Sequence, residues 1–234
     1  MDLFYHPDIT KEDKYTLGPE ESRHITRTKR NAEGDILLFT NGRGIFAKAR
    51  LSLPAKNKAE IKVLEIEQVP IPEFKLTVAI SPLRSPARWE WFIEKATELG
   101  VSKIQPLVFE RTVKSKFKEE RLTKLMVSAM KQSQRVFLPE LKTALPFKEL
   151  FDQEITGQKY VAHCEDGSKK ELVDVLKANE DVCVIVGPEG DLTNDEIKMA
   201  IENGYIPVGL GKHRLRTETA GMVVCQNYNF ANRL

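Results

Sequence analysis

Three short runs of β type, Ile36 to Phe39, Ile45 to Leu51 and Glu60 to Ile66, occupy the first seventy residues. Gly34-Asp35, Asn41-Gly42-Arg43-Gly44 and Pro54 separate them. Evenly spaced short strands with turn chemistry between them predict a small β-barrel. Val69-Pro70-Ile71-Pro72-Glu73 follows. Its two prolines fix extended geometry, which makes it the best linker in the chain and sets expected domains of 1–70 and 74–234.

After Phe74 the pattern changes to strands alternating with helices, the mark of an α/β layer structure. Strands are expected at Lys75 to Ile80, Ile104 to Phe109, Lys159 to His163, Val182 to Val186 and Tyr205 to Val208. The clearest helix runs from Ala87 to Leu99, with Ser85 placed to cap it, Pro86 in its first turn and Gly100 at its C-terminus. Trp89, Phe92, Ile93, Ala96 and Leu99 repeat there at helical spacing. A second helix, Arg121 to about Gln134, puts Leu122, Leu125, Met126 and Ala129 on one face, and a final one buries Ala220, Val223, Val224 and Tyr228.

Composition narrows the classes. The chain has 234 residues, 41% hydrophobic and 30% charged, enough for one large or two small domains with a real core. Three cysteines with no C-x-x-C spacing and four scattered histidines exclude a disulfide scaffold and a zinc finger. No metal is expected. The N-terminus lacks the basic and apolar regions of a signal peptide, and no apolar run approaches the roughly 20 residues that span a bilayer. A soluble cytoplasmic protein in a reducing compartment, with no membrane partner, is the expectation.

The net charge of +2 does not advertise a nucleic-acid binder, so any basic surface must be local. From Arg111 to Arg135 there are eight Lys or Arg against two Glu, a local +6. Arg23-His24-Ile25-Thr26-Arg27-Thr28-Lys29-Arg30 is a second cluster. Two basic segments suit a polyanion, because phosphate contacts dominate such affinity. Ordinary solvated helix faces are the competing explanation.

Two loops follow buried-strand patterns, where open α/β sheets bind ligands. Gly187-Pro188-Glu189-Gly190-Asp191 lies between an apolar strand and Thr193-Asn194-Asp195-Glu196, whose Thr-x-x-Glu spacing is a capping box. Glycine there lets a ligand approach backbone amides, although a simple tight turn has the same sequence. Leu210-Gly211-Lys212-His213-Arg214-Leu215-Arg216-Thr217-Glu218-Thr219-Ala220 mixes basic side chains with leucine before the last helix. A solvated turn with Thr217 or Thr219 capping that helix is the alternative. Neither loop is a Walker or dinucleotide pattern, and no hydrolytic nucleophile stands out; Cys183, inside an apolar strand, reads as core.

Together these loops resemble the paired signature of the RsmE-type 16S rRNA (uracil-N3)-methyltransferases of the SPOUT superfamily. Lys95-Ala96-Thr97-Glu98-Leu99-Gly100-Val101, Pro106-Leu107, Glu110-Arg111, Gln132-Ser133-Gln134-Arg135 with Pro139, and His24, Arg30 and Gly34-Asp35 resemble other motifs of that family. The match covers essentially the whole chain. It implies an N-terminal PUA-like β-barrel for RNA and a C-terminal SPOUT-type α/β domain with a deep trefoil knot, a rare exception to unthreaded chains, in a homodimer.

The resemblance further implies S-adenosyl-L-methionine as cofactor, held by His163, Gly187, Pro188, Glu189, Gly190, Leu210, Gly211, Leu215, Arg216 and Ala220. The implied substrate is a uridine N3 of 16S rRNA in the small ribosomal subunit. Orienting the ring and removing its N3 proton falls to Arg216, with Glu218, Arg111 and Arg135 as further catalytic candidates. A helix N-terminal acid is an equal account of Glu218. Arg23, Arg27, Arg30, Lys114 and Lys116 are candidates for RNA contact. This chain departs from the family in carrying His213-Arg214 for Arg-Ile and Lys131 for Glu. Methylation of tRNA or of a ribose 2′-hydroxyl, and a non-catalytic ribosome-assembly role, are the alternatives.

Overall fold

A computed structural model describes residues 2–113, 116–165, 167 and 169–233. The chain divides into two compact units, Met1–Ile71 with Val127–Leu138, and Pro72–Met126 with Pro139–Leu234. Residues 127–138, expected in the second domain from sequence, pack with the first unit.

The first unit contains β1 (Leu3–Tyr5), β2 (Lys14–Thr16), α1 (Pro19–Arg23), a π-helical turn (His24–Thr28), β3 (Ile36–Thr40), β4 (Ile45–Leu53) and β5 (Glu60–Gln68). The five strands form one sheet in the order β1-β3-β4-β5-β2. β4 shows why: Ile45, Ala47, Ala49 and Leu51 are buried at every second position, and cross-strand partners such as Val63 and Ile61 face the same way. Register shifts between Lys48 and Ala49 and between Leu51 and Leu53 bend the ribbon. Side chains from β1, β3, β4 and β5 meet Ile9, Leu17 and Ile25 in a single core.

Residues 136–138 join this unit through backbone pairing. The Gly44 N–H donates to the Val136 carbonyl at 2.9 Å and the Leu138 N–H to the Gly42 carbonyl at 2.9 Å. Gly44 has a φ of +92°, and a Cβ there would stand 2.7 Å from the Phe137 ring. Glycine is therefore required at that position by both backbone and space. Lys131, the departure from the family pattern, forms an ion pair with Glu21.

The second unit holds β6 (Leu76–Ile80), α2 (Pro86–Glu98), β7 (Lys103–Val108), the first turns of α3 (Glu119–Gln132), β8 (Glu140–Leu141), β9 (Leu145–Pro146) and a 3₁₀ helix (Phe147–Asp152). It continues with β10 (Gln158–Ala162), β11 (Lys170–Glu171), α4 (Leu172–Val175), β12 (Val182–Val186), α5 (Asn194–Glu202), β13 (Ile206–Gly209) and α6 (Thr217–Asn232). The sheet order is β11-β13-β10-β12-β6-β7-β8, with β9 also on β7, and every pair is parallel. Central β12 is buried at all five positions, as a parallel strand covered on both faces must be.

Helices α2 and α6 pack together where Gly221 lets them close: a Cβ there would lie 2.5 Å from the Phe92 ring. Ser85 sits at the N-cap of α2 with no side-chain cap bond, so Pro86 at N1 carries the start. Neither Thr217 nor Thr219 caps α6. Arg216 occupies that cap, and the Thr217 hydroxyl instead donates to the Gly187 carbonyl at 3.1 Å.

Candidate cofactor and catalytic site

Ala162 pairs in register with Val186 on one side and with Val208 on the other, so the C-terminal ends of β10, β12 and β13 are neighbours. The loops leaving those ends enclose a cavity of about 860 Å³. That is within the roughly 300–1,000 Å³ of small-molecule and cofactor sites.

Of the expected cofactor residues, His163, Gly187, Pro188, Glu189, Leu210, Gly211, Leu215, Arg216 and Ala220 line the cavity. Gly190 does not: its carbonyl accepts from the Arg111 guanidinium at 2.8 Å. Arg111 therefore ties down the loop after β12. The three glycines also serve different ends. The space a side chain would need at Gly187 is filled by Leu192, 2.4 Å from the Cβ position, so packing by itself requires glycine there. Gly211, at φ +113°, has open space beside its α-carbon, while its N–H donates to Glu171 Oε2 at 2.7 Å.

Other ties hold the loops together. The Cys164 N–H donates to Asp191 Oδ2 at 2.8 Å, joining the loops after β10 and β12. Asp191 has a φ of +64°, a conformation that Asp tolerates better than most side chains. The predicted capping box is formed: Thr193 Oγ1 accepts from the Glu196 N–H, and Glu196 Oε2 accepts from the Thr193 N–H. Glu196 Oε1 also accepts from the Glu110 N–H at 2.8 Å, which fixes the residue before Arg111.

His163 is held from one side. Lys169 donates to its carbonyl at 2.9 Å, and Lys169 Nζ stands 3.3 Å from Nδ1. An ammonium only donates, so Nδ1 accepts and the ring proton belongs on Nε2, which is buried without a partner. Burial, reinforced by the Lys169 charge, holds the imidazole below its ordinary pKa.

Sequence reasoning missed Arg88. It lines the cavity with Nη1 3.8 Å from Glu189 Oε1 and Nε 3.6 Å from Glu218 Oε1. Its place on the helix after β6, one strand from β12, was the available signal. Glu218 is 6% exposed and its Oε2 has no partner; it does not line the cavity but grips the arginine that does. Arg216 lines the cavity directly. Arg135 belongs to the first unit, where burial lowers its pKa.

Arg23, Arg27, Arg30 and Lys116 are exposed, and Lys114 lies outside the described residues. Among the described residues there is no group of three or more His, Cys, Asp or Glu placed to hold a metal, and no helix long and apolar enough to cross a membrane.

The sequence matches the RNA methyltransferase domain family over residues 70–229 and the RNA methyltransferase PUA domain family over residues 17–64. Ribosomal RNA small subunit methyltransferase E of Bacillus subtilis (strain 168) is 30% identical, with 98% of this chain and 97% of that protein covered. A crystal structure described as a probable rRNA-methyltransferase from Porphyromonas gingivalis is 33% identical, with a TM-score of 0.93 and 100% and 99% of the two chains covered. The Neisseria gonorrhoeae ribosomal RNA small subunit methyltransferase E, bound to S-adenosyl methionine, is 28% identical with a TM-score of 0.89 over 99% and 98% of the chains. Matched over nearly its whole length, the chain belongs to the ribosomal RNA small subunit methyltransferase E family.

Proposed function

We propose that this protein transfers a methyl group from S-adenosylmethionine to N3 of one uridine in 16S rRNA of the small ribosomal subunit. The observation that carries the reading is the 860 Å³ cavity built from the loops that bear the family signature. Its fit to the cofactor rests on chemistry. Leu210 and Leu215 supply apolar cover, the space beside Gly211 is clear of side chains, and the unpartnered His163 Nε2–H is a buried donor. His163 and the loops 187–189 and 210–216 would hold the cofactor, with Ala220 beneath them. Its sulfonium, when bound, supplies an electrophilic methyl group.

The protein's own task is to orient the uracil and stabilise the charge left as the N3 proton departs. Arg216 and Arg88 both face the cavity and present cations suited to an anionic ring. Glu218 holds Arg88 in place, and Arg111 holds the Gly190 carbonyl so that the loop after β12 keeps its shape. Arg23 on α1, Arg27 on the π-helical turn and Arg30 just beyond it, with Lys114 and Lys116, hold RNA phosphates.

The same reading includes cytoplasmic residence, a homodimer and a deep trefoil knot in residues 74–234. Light scattering tests the dimer. Pulling on the chain ends tests the knot, because a tightened knot shortens the unfolded contour.

The deciding experiment incubates purified protein with S-adenosylmethionine and unmethylated small subunits, then digests the RNA to nucleosides for mass spectrometry. The expected product is 3-methyluridine. A ribose-methylated nucleoside, or cofactor-independent RNA binding without product, would replace the reading with one of its alternatives.

A further inference from the structure

A second cavity, of about 460 Å³, lies in the methyltransferase unit between the start of α2 and the segment that leads into α3. Pro82, Leu83, Pro86 and Leu122 give it apolar walls, and Trp89 and Phe117 give it aromatic ones. The two rings stand 5.8 Å apart at 45°. Trp89 is 2% exposed, yet its indole Nε1–H has no hydrogen-bond partner. A buried donor left unmade is a standing cost, and Trp N–H groups normally find an acceptor.

The rim is cationic. Glu90 is engaged by the Arg121 fork at 2.7 and 2.8 Å, which leaves exposed Lys116 and Lys118 to set the local charge. With Trp89 only 2% exposed, the stacking face is that of half-buried Phe117; this ring, a buried donor and two ammonium groups at the mouth match an unstacked nucleotide: base against Phe117, carbonyl to N–H, phosphate to lysine.

We propose that this cavity takes the base of one single-stranded ribonucleotide of the RNA substrate, a base with a ring carbonyl to accept from Trp89. Uracil, cytosine and guanine carry that carbonyl and adenine does not. The inference rests on the reading of this chain as an RNA methyltransferase, and it adds a subsite apart from the cofactor cavity. Trp89 follows Arg88 in α2, so adjacent residues would serve the base and the methyl-transfer cavity.

The test uses the full chain with ¹⁵N-labelled tryptophan. Only two indole signals exist, from Trp89 and Trp91, and a Trp91→Phe variant assigns them. Titration with uridine 5′-monophosphate is expected to move the Trp89 signal saturably and leave that of Trp91 in place. Adenosine 5′-monophosphate should bind more weakly, and Phe117→Ala should weaken uridine monophosphate binding by roughly tenfold through loss of one stacking surface. A Trp89 signal that stays fixed, or that responds equally to adenosine monophosphate or to inorganic phosphate alone, overturns the proposal. Methylation of small subunits by the same preparation separates the two readings. Product with a fixed Trp89 signal removes the subsite alone, whereas a base-selective shift without product keeps the subsite and removes the enzyme.

Discussion

Arg88 stands between two carboxylates while facing the cavity, so its position is set by Glu218 and Glu189 together. Arg88→Met keeps the side-chain length and removes the charge. If the guanidinium stabilises the departing-proton state, kcat should fall by about 10²–10³-fold, the scale for loss of one preorganised donor. Cofactor affinity, measured by calorimetry, should change little. Glu218→Gln should lower kcat less, because it acts only through Arg88. Equal losses of cofactor binding and kcat would instead make the cluster a structural brace. His163 gives a pH prediction. Its folded pKa lies below the ordinary 6.5, so its neutral form contributes stability that is complete above that value and is lost as pH falls through the lowered one. The melting temperature should therefore drop between pH 7.5 and pH 5, and drop less in His163→Gln. The sequence marks Gly187 for ligand approach, and the structure adds a second demand for glycine there, from Leu192, a tertiary neighbour that no spacing rule contains.

At the scale of elements, the α2 and α6 contact makes a prediction in which two effects oppose. Gly221→Ala in mid-α6 should gain about 1 kcal/mol of helix propensity. The new methyl would stand 2.5 Å from the Phe92 ring, itself wholly buried, and overpacking of that kind costs roughly 1–3 kcal/mol. The net expectation is a lower melting temperature, and a rise would show that α2 can move away. The long elements were legible because burial writes itself into them: β12 is one unbroken apolar run, and α2 repeats at helical spacing. β8, β9 and β11, of two residues each, and α4, of four, were not legible, since partners rather than local pattern define them. The capping box before α5 could be read because both of its bonds are local. The return of residues 136–138 to the first unit could not, because its signal is the fit of Phe137 against Gly44, more than ninety residues away.

For the whole molecule the question is how much of the positive charge is free to meet RNA. The run from Arg111 to Arg135 carries +6 in sequence, but much of it is committed internally. Arg111 holds Gly190, Arg121 holds Glu90, Lys124 holds Glu120 and Lys131 holds Glu21. The exposed cations of that run that remain for a polyanion narrow, among the described residues, to the Lys116 and Lys118 rim, so the other basic cluster gains weight. Arg23, Arg27 and Arg30 are all exposed, and no ion pair among the described residues involves them. Single-stranded contacts change the salt slope of log K by about 0.7 per phosphate neutralised, so replacing all three with Gln should reduce the slope by about 2. The loss should be the same for RNAs of different sequence, because phosphate contacts carry no base information. Cofactor affinity should be unchanged, since none of the three lines the cavity. An unaltered salt slope would take these arginines off the RNA path and leave the charge at the mouth of the second cavity to account for binding.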